Sequence, residues 1–90
     1  IKHITHISYL TCFDTSKVTN MGNMFYWCPN LKTIYTGDKF VTTNVTSSDY
    51  MFISSNNLVG GNGTKYNSSY IDKTYARIDT ASTPGYFTKK

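Results

Sequence analysis

No glutamate occurs among these 90 residues, and arginine occurs once, at Arg77. A nucleic-acid-binding face needs Lys and Arg gathered on one side. Here the lysines are spread along the chain and the one doublet is Lys89-Lys90, so a net charge of +4 gives little reason to propose nucleic acid. Long apolar runs are missing too: none approaches the ~20 residues of a membrane-spanning helix, and no signal peptide opens the chain. Cysteine is scarce. Cys12 and Cys28 allow one disulfide at most, and with His3 and His6 they lack the paired short spacings of a zinc site. No metal or cofactor is expected.

What is present is Ser, Thr and Asn in quantity, with eight tyrosines. Such a composition favours strands, turns and an uncharged hydrogen-bonding surface over a helical bundle. The length sets one domain, 1–90, that buries only about 60–65% of its unfolded surface and so has a thin core. The start at Ile1, without methionine, points to a segment of a longer chain, expected to act as a monomer within it.

The stretch "FDTSKVTNMGNMFYWCPNLKTI", 13–34, holds the organising signal. Laid against the chain with a shift of 27 residues, Ile7 falls on Ile34, Phe13 on Phe40, Thr15 on Thr42 and Val18 on Val45. Thr19 falls on Thr46, Met24 on Met51, Phe25 on Phe52 and Asn30 on Asn57. Chance would give roughly two such identities, so the sequence repeats. The apolar residues Val18, Met21, Phe25 and Cys28 sit at helical spacing and lead into Leu31 and Ile34, which read as a strand. A period in the twenties with one strand and one short helix per unit marks a leucine-rich-repeat-like array.

The expected fold is an α/β solenoid of parallel strand and short-helix coils. Units span 4–30 and 31–57, and a β-rich C-terminal cap spans 58–88, with "KTYARID" as a strand and Tyr75, Ile78, Tyr86 and Phe87 covering the stack. Ile4, Leu31 and Leu58 form one expected ladder, Ile7 and Ile34 a second, Val18/Val45 and Phe25/Phe52 two more. Phe13 and Phe40 anchor the return turns. The missing cap before Ile4 points to further coils upstream.

The residues Phe13, Asp14, Thr15, Ser16, Val18, Thr19, Asn20, Met21, Met24, Phe25 and Cys28 match in order a pattern of the form F-[DN]-T-S-x-V-T-[ND]-M-x-x-M-F-x-x-C. This resembles the repeat of the BspA-like leucine-rich-repeat group of bacterial surface proteins. The second unit has Ser55 where the Cys would stand. The resemblance implies a secreted or cell-surface protein with adhesive or protein-binding roles, and it implies no activity.

Candidate chemistry is sparse. A catalytic thiol would need a base near Cys12 or Cys28, and only His3 and His6 exist, so a small Cys/His hydrolase is the weaker alternative. Cys28 reads as a small buried hydrophobe, with a Cys12–Cys28 bridge left open. The five aspartates are scattered and mark no acid–base pair. "GGNG", 60–63, lacks the Lys-Ser/Thr ending of a phosphate loop and reads as a structural turn. No catalytic residue is assigned.

The better candidate is a surface. Side chains alternating with the buried strand positions expose Thr5, His6 and Ser8 on one rung, and Lys32, Thr33 and Tyr35 on the next. Tyrosine offers contact area at little entropic cost, so a protein ligand or a host surface fits this face. Tyr26 and Trp27 form a second candidate patch, one of them expected to pack inward. The alternative is a purely structural cap whose parent carries its binding residues upstream. An extracellular or cell-surface location is expected.

Overall fold

The computed structural model describes residues 7–90. Three short strands, β1 (Ile7–Leu10), β2 (Thr33–Thr36) and β3 (Phe87–Lys89), form one parallel sheet in the order β1-β2-β3. One three-residue 3-10 helix, Lys73–Tyr75, is the sole helical element among the described residues. The α/β solenoid of strand–helix coils is therefore not what the chain adopts, and the region 58–88 is mostly turns and isolated bridges rather than β-rich. "KTYARID" holds the 3-10 helix, and within it only Ile78 makes a bridge, to Phe87.

The reason for the missing helices lies in the backbone of 20–30. Asn23 and Trp27 have φ of 60° and 49°, and their repeat equivalents Tyr50 and Ser54 have 59° and 64°. A right-handed helix admits no such residue, and each bulky one costs about 1–2 kcal/mol. The segment is instead a chain of tight turns, closed by Met24 N–H to Met21 O and Tyr26 N–H to Asn23 O. A left-handed residue every four positions returns Met21 and Phe25 to the same side. This imitates helical spacing in the sequence.

Alternate amides of these turns point sideways into the next repeat. Met21, Asn23, Phe25 and Trp27 N–H donate to the carbonyls of Ser47, Asp49, Met51 and Ile53 at 2.8, 3.1, 2.7 and 2.8 Å. Small polar side chains tie the repeats further. Ser55 Oγ donates to Phe25 O at 2.5 Å and accepts Cys28 N–H at 3.0 Å. Thr15 Oγ1 both donates to Val41 O and accepts Val41 N–H, each at 2.7 Å, while Asn44 and Asn57 amides reach Ser16 O and Pro29 O. Among the described residues, no buried side-chain polar atom lacks a hydrogen bond.

Between the sheet and the turn ladder sits an aromatic core. Phe25 and Phe52 stack with ring centroids 5.5 Å apart and planes 5° from parallel, as the repeat predicts. Phe87 sets its edge against Phe25, Phe40 and Phe52, and Tyr86 sets its edge against Phe52 at 4.9 Å. Full burial of one such ring stabilises by about 1.5–3 kcal/mol, with about 0.5–1.5 more per favourable ring pair. Phe13, expected to anchor its turn as Phe40 does, is instead 51% exposed. Cys28 is buried and Cys12 exposed, and no disulfide joins them.

The strand ladder differs from expectation by one residue. Ile7 pairs with Thr33 and Ser8 with Ile34, an offset of 26, whereas Asn20 bridges Ser47 at 27. The extra residue of the second repeat lies at Thr36-Gly37, between strand and return turn. A Cβ on Gly37 would stand 2.8 Å from Thr11 O, so only glycine fits there. Ile7 therefore turns outward, 44% exposed, and does not stack with Ile34, which is buried. Ile4, expected to head the Leu31/Leu58 ladder, lies outside the described residues.

Two buried polar devices hold the C-terminal third. The "GGNG" turn wraps the Asp79 carboxylate: Oδ2 accepts Asn62 and Thr64 N–H, and Oδ1 accepts Thr64 Oγ1 and Gly85 N–H, at 2.7–3.1 Å. Burial pushes this carboxyl up, but the hydrogen bonds from Thr64, Gly85 and Asn62 outweigh it and hold it below its usual value. A Cβ on Gly60 would strike Gly85 O and come within 2.6 Å of Asp79 Oδ2. Tyr86 hydroxyl, meanwhile, donates to Tyr70 O at 2.7 Å and accepts Asn67 N–H at 3.1 Å, fixing the 67–70 turn. Burial is the main cause that pushes its phenol up to about 12.

These devices set opposite ends of the pH profile. Asp79 has a lowered folded pKa, so its contribution is present above the unfolded value of about 3.9 and lost as pH falls through the folded one. Asp79→Asn is expected to cost about 1.5–3 kcal/mol at neutral pH, with the gap to wild type closing in acid, as read by urea midpoints. Tyr86 is the reverse case: its contribution is full below about 10 and lost as pH rises toward 12. Tyr86→Phe is expected to lower stability by about 1–3 kcal/mol and to flatten the alkaline limb of the same unfolding series.

Candidate functional site

The outer face of the sheet carries a built cluster. Side chains alternate across a strand, so Ile7 and Tyr9 of β1 share one face with Thr33 and Tyr35 of β2 and Thr88 of β3. The parallel register sets Tyr9 directly beside Tyr35, and their rings stack at 5.2 Å with planes 18° apart. Lys90 N–H donates to Thr36 O at 3.1 Å, which holds the last residue of the chain against the sheet. Its ammonium then lies 4.8 Å from the Tyr35 ring centre and 5.9 Å from that of Tyr9. Tyr9 is 59% exposed, so the cluster meets solvent. A cation over two phenol rings at an exposed site contributes about 0.5–1 kcal/mol and presents a fixed positive charge among hydroxyls.

The expected face is partly this one. Thr33 and Tyr35 belong to it. Ser8 does not: it pairs with Ile34 and turns toward the core side. Lys32 is exposed just before β2 but lines a separate recess of about 430 Å³ with Lys65, Asn30 and Asn57. Thr5 and His6 lie outside the described residues, as does His3. Tyr9, Lys90, Ile7 and Thr88 were missing from the expectation. Matching Tyr9 to Tyr35, at a shift of 26, was the signal that could have found the first of them, because a slip of one residue exchanges the two faces of a strand.

The groups with catalytic or ligating chemistry are spread or engaged. Asp14 accepts Ser16 N–H at 3.0 Å, which holds its carboxyl below the usual value, and Asp72 accepts Thr74 N–H at 2.9 Å. Asp79 fills its own cradle. Burial pushes the Cys28 thiol up, against a hydrogen bond from Ser55. Among the described residues, no three His, Cys, Asp or Glu side chains gather to hold a metal ion. No helix of the described residues is long and apolar enough to cross a membrane.

A further surface lies on the turn side. Asn23, Tyr26, Tyr50 and Ile53 line a shallow cleft of about 620 Å³. Tyr26 and Trp27 are 51% and 52% exposed, so neither packs inward as expected.

No curated protein and no solved structure matches the chain. A family model does, over residues 2–84, and the chain accordingly belongs to the family described as "Mycoplasma protein of unknown function, DUF285".

Proposed function

We propose that this domain is a non-catalytic module of a bacterial cell-surface or secreted protein, and that it binds a protein ligand or host surface through the outer face of its sheet. The observation that carries this reading is the Tyr9–Tyr35 stack with Lys90 over it. Tyrosines held rigid by stacking, here exposed Tyr9 on half-buried Tyr35, lose little entropy on docking, and they offer apolar area with a hydrogen-bonding tip. Ile7 extends the patch on one side and Thr88 on the other. The likeness of the Phe13–Cys28 motif to BspA-like surface repeats supports a location outside the cell. It also supports an adhesive role, without the leucine-rich-repeat fold.

One ammonium set over two phenol rings favours a partner surface with acidic and aromatic side chains. Beads coated with the domain are expected to adhere to epithelial cell layers. The double variant Tyr9→Ala/Tyr35→Ala should reduce adhesion by about tenfold, as for a central aromatic pair, and Lys90→Glu should reduce it and its salt dependence together. Lys17→Ala, at an exposed position away from the cluster, is the control. Equal adhesion of wild type and the double variant would assign the domain a spacer role instead.

A further inference from the structure

The turn side of the molecule places large aromatic rings where the backbone least favours them. Positions 23 and 50 are repeat equivalents, as are 27 and 54, and all four take the left-handed conformation. Asn23 suits it. Tyr50 and Trp27 are bulky residues for which it is unfavourable. Burial does not offset the strain, because Tyr50 is 56% and Trp27 52% exposed. Strained, exposed aromatics beside a cleft mark a site whose side chains serve something other than the fold.

The cleft has a definite chemistry. Tyr26 and Tyr50 supply two half-exposed rings, Ile53 an apolar wall and Asn23 a carboxamide, and no charged side chain lines it. Its walls are set by the inter-repeat ladder: Asn23 N–H is fixed on Asp49 O at 3.1 Å, and Trp27 N–H on Ile53 O at 2.8 Å. We propose that this cleft binds a neutral pyranose oligosaccharide. The C–H faces of a sugar ring carry slight positive charge and pack on the negative faces of phenol rings. Its hydroxyls pair with a carboxamide that both donates and accepts, and with two phenol hydroxyls that do the same. With no ionic group to desolvate, the cleft gives no preference to acidic sugars. It lies on the turn side, and its lining shares no residue with the Tyr9–Tyr35 face, so the inference does not rest on the adhesive reading.

Trp27 is the single tryptophan of the chain and its N–H is held on Ile53 O at the cleft wall, so its fluorescence is the first probe of binding there. The domain is titrated with chitotriose and cellotriose, with sialyllactose as the charged comparison, and affinities are confirmed by calorimetry. At least one neutral trisaccharide is expected to saturate with a Kd of roughly 0.1–10 mM, in keeping with a small open site. Tyr50→Asn, which gives position 50 the residue found at 23, is expected to weaken binding by about tenfold or more while its Tm stays level or rises. Tyr26→Ala should weaken it similarly, and Lys17→Ala should not. The proposal is overturned by any of these results: no measurable binding of a neutral trisaccharide up to about 20 mM, preference for the sialylated sugar, or unchanged affinity in Tyr50→Asn. A lower Tm for Tyr50→Asn would also overturn it, by showing that the tyrosine stands there for stability.

Discussion

Four amide hydrogens on the turn side, those of Met21, Asn23, Phe25 and Trp27, decide how the two repeats sit together. Each is committed to a carbonyl of the second repeat, and two of the donors, Asn23 and Trp27, are themselves the left-handed residues that bend the segment back. A backbone donor buried without a partner costs as much as a lost hydrogen bond, so packing the two repeats in another register would leave several such donors mismatched at once. That ladder sets the rings of Phe25 and Phe52 face to face. It also explains the composition. Ser55, Thr15, Asn44 and Asn57 carry side chains short enough to reach across one repeat and bond the backbone of the next.

The C-terminal third replaces what a third repeat would supply. β3 pairs with β2 through Ile34 and Phe87, and Phe52 N–H finds Ile71 O where Phe25 N–H finds Met51 O. Phe87 and Tyr86 close the aromatic core from the same side. The glycine turn that could be mistaken for a phosphate loop is closed around the protein's own Asp79 carboxylate. Gly60 and Gly61 serve close approach, Gly63 takes a φ of 90°, and the turn's amides are used inside the fold.

The repeat and its stacked phenylalanines were legible in the sequence because identical apolar residues recur at a fixed shift. The helices were a misreading with a physical origin: four-residue turns and a 3.6-residue helix bring Met21 and Phe25 to the same side with nearly equal spacing. Only the left-handed residues separate the two, and with Trp27, Tyr50 and Ser54 at such positions the usual Gly or Asn signal stands only at Asn23. On the strand face, Thr33 and Tyr35 were legible, whereas Tyr9 was hidden by the single added residue near Gly37. Lys90 had no local signal, since its place beside the tyrosines depends on β3 joining the sheet after a long excursion.

That added residue behaves like an edge dislocation in a crystal. Two well-ordered regions, one matched at 26 and the other at 27, are joined through a small defect that glycine makes room for. The one-residue difference in length between the two repeats is thereby taken up at one spot, and the outward side chains of the sheet and of the turn ladder follow two separate registers.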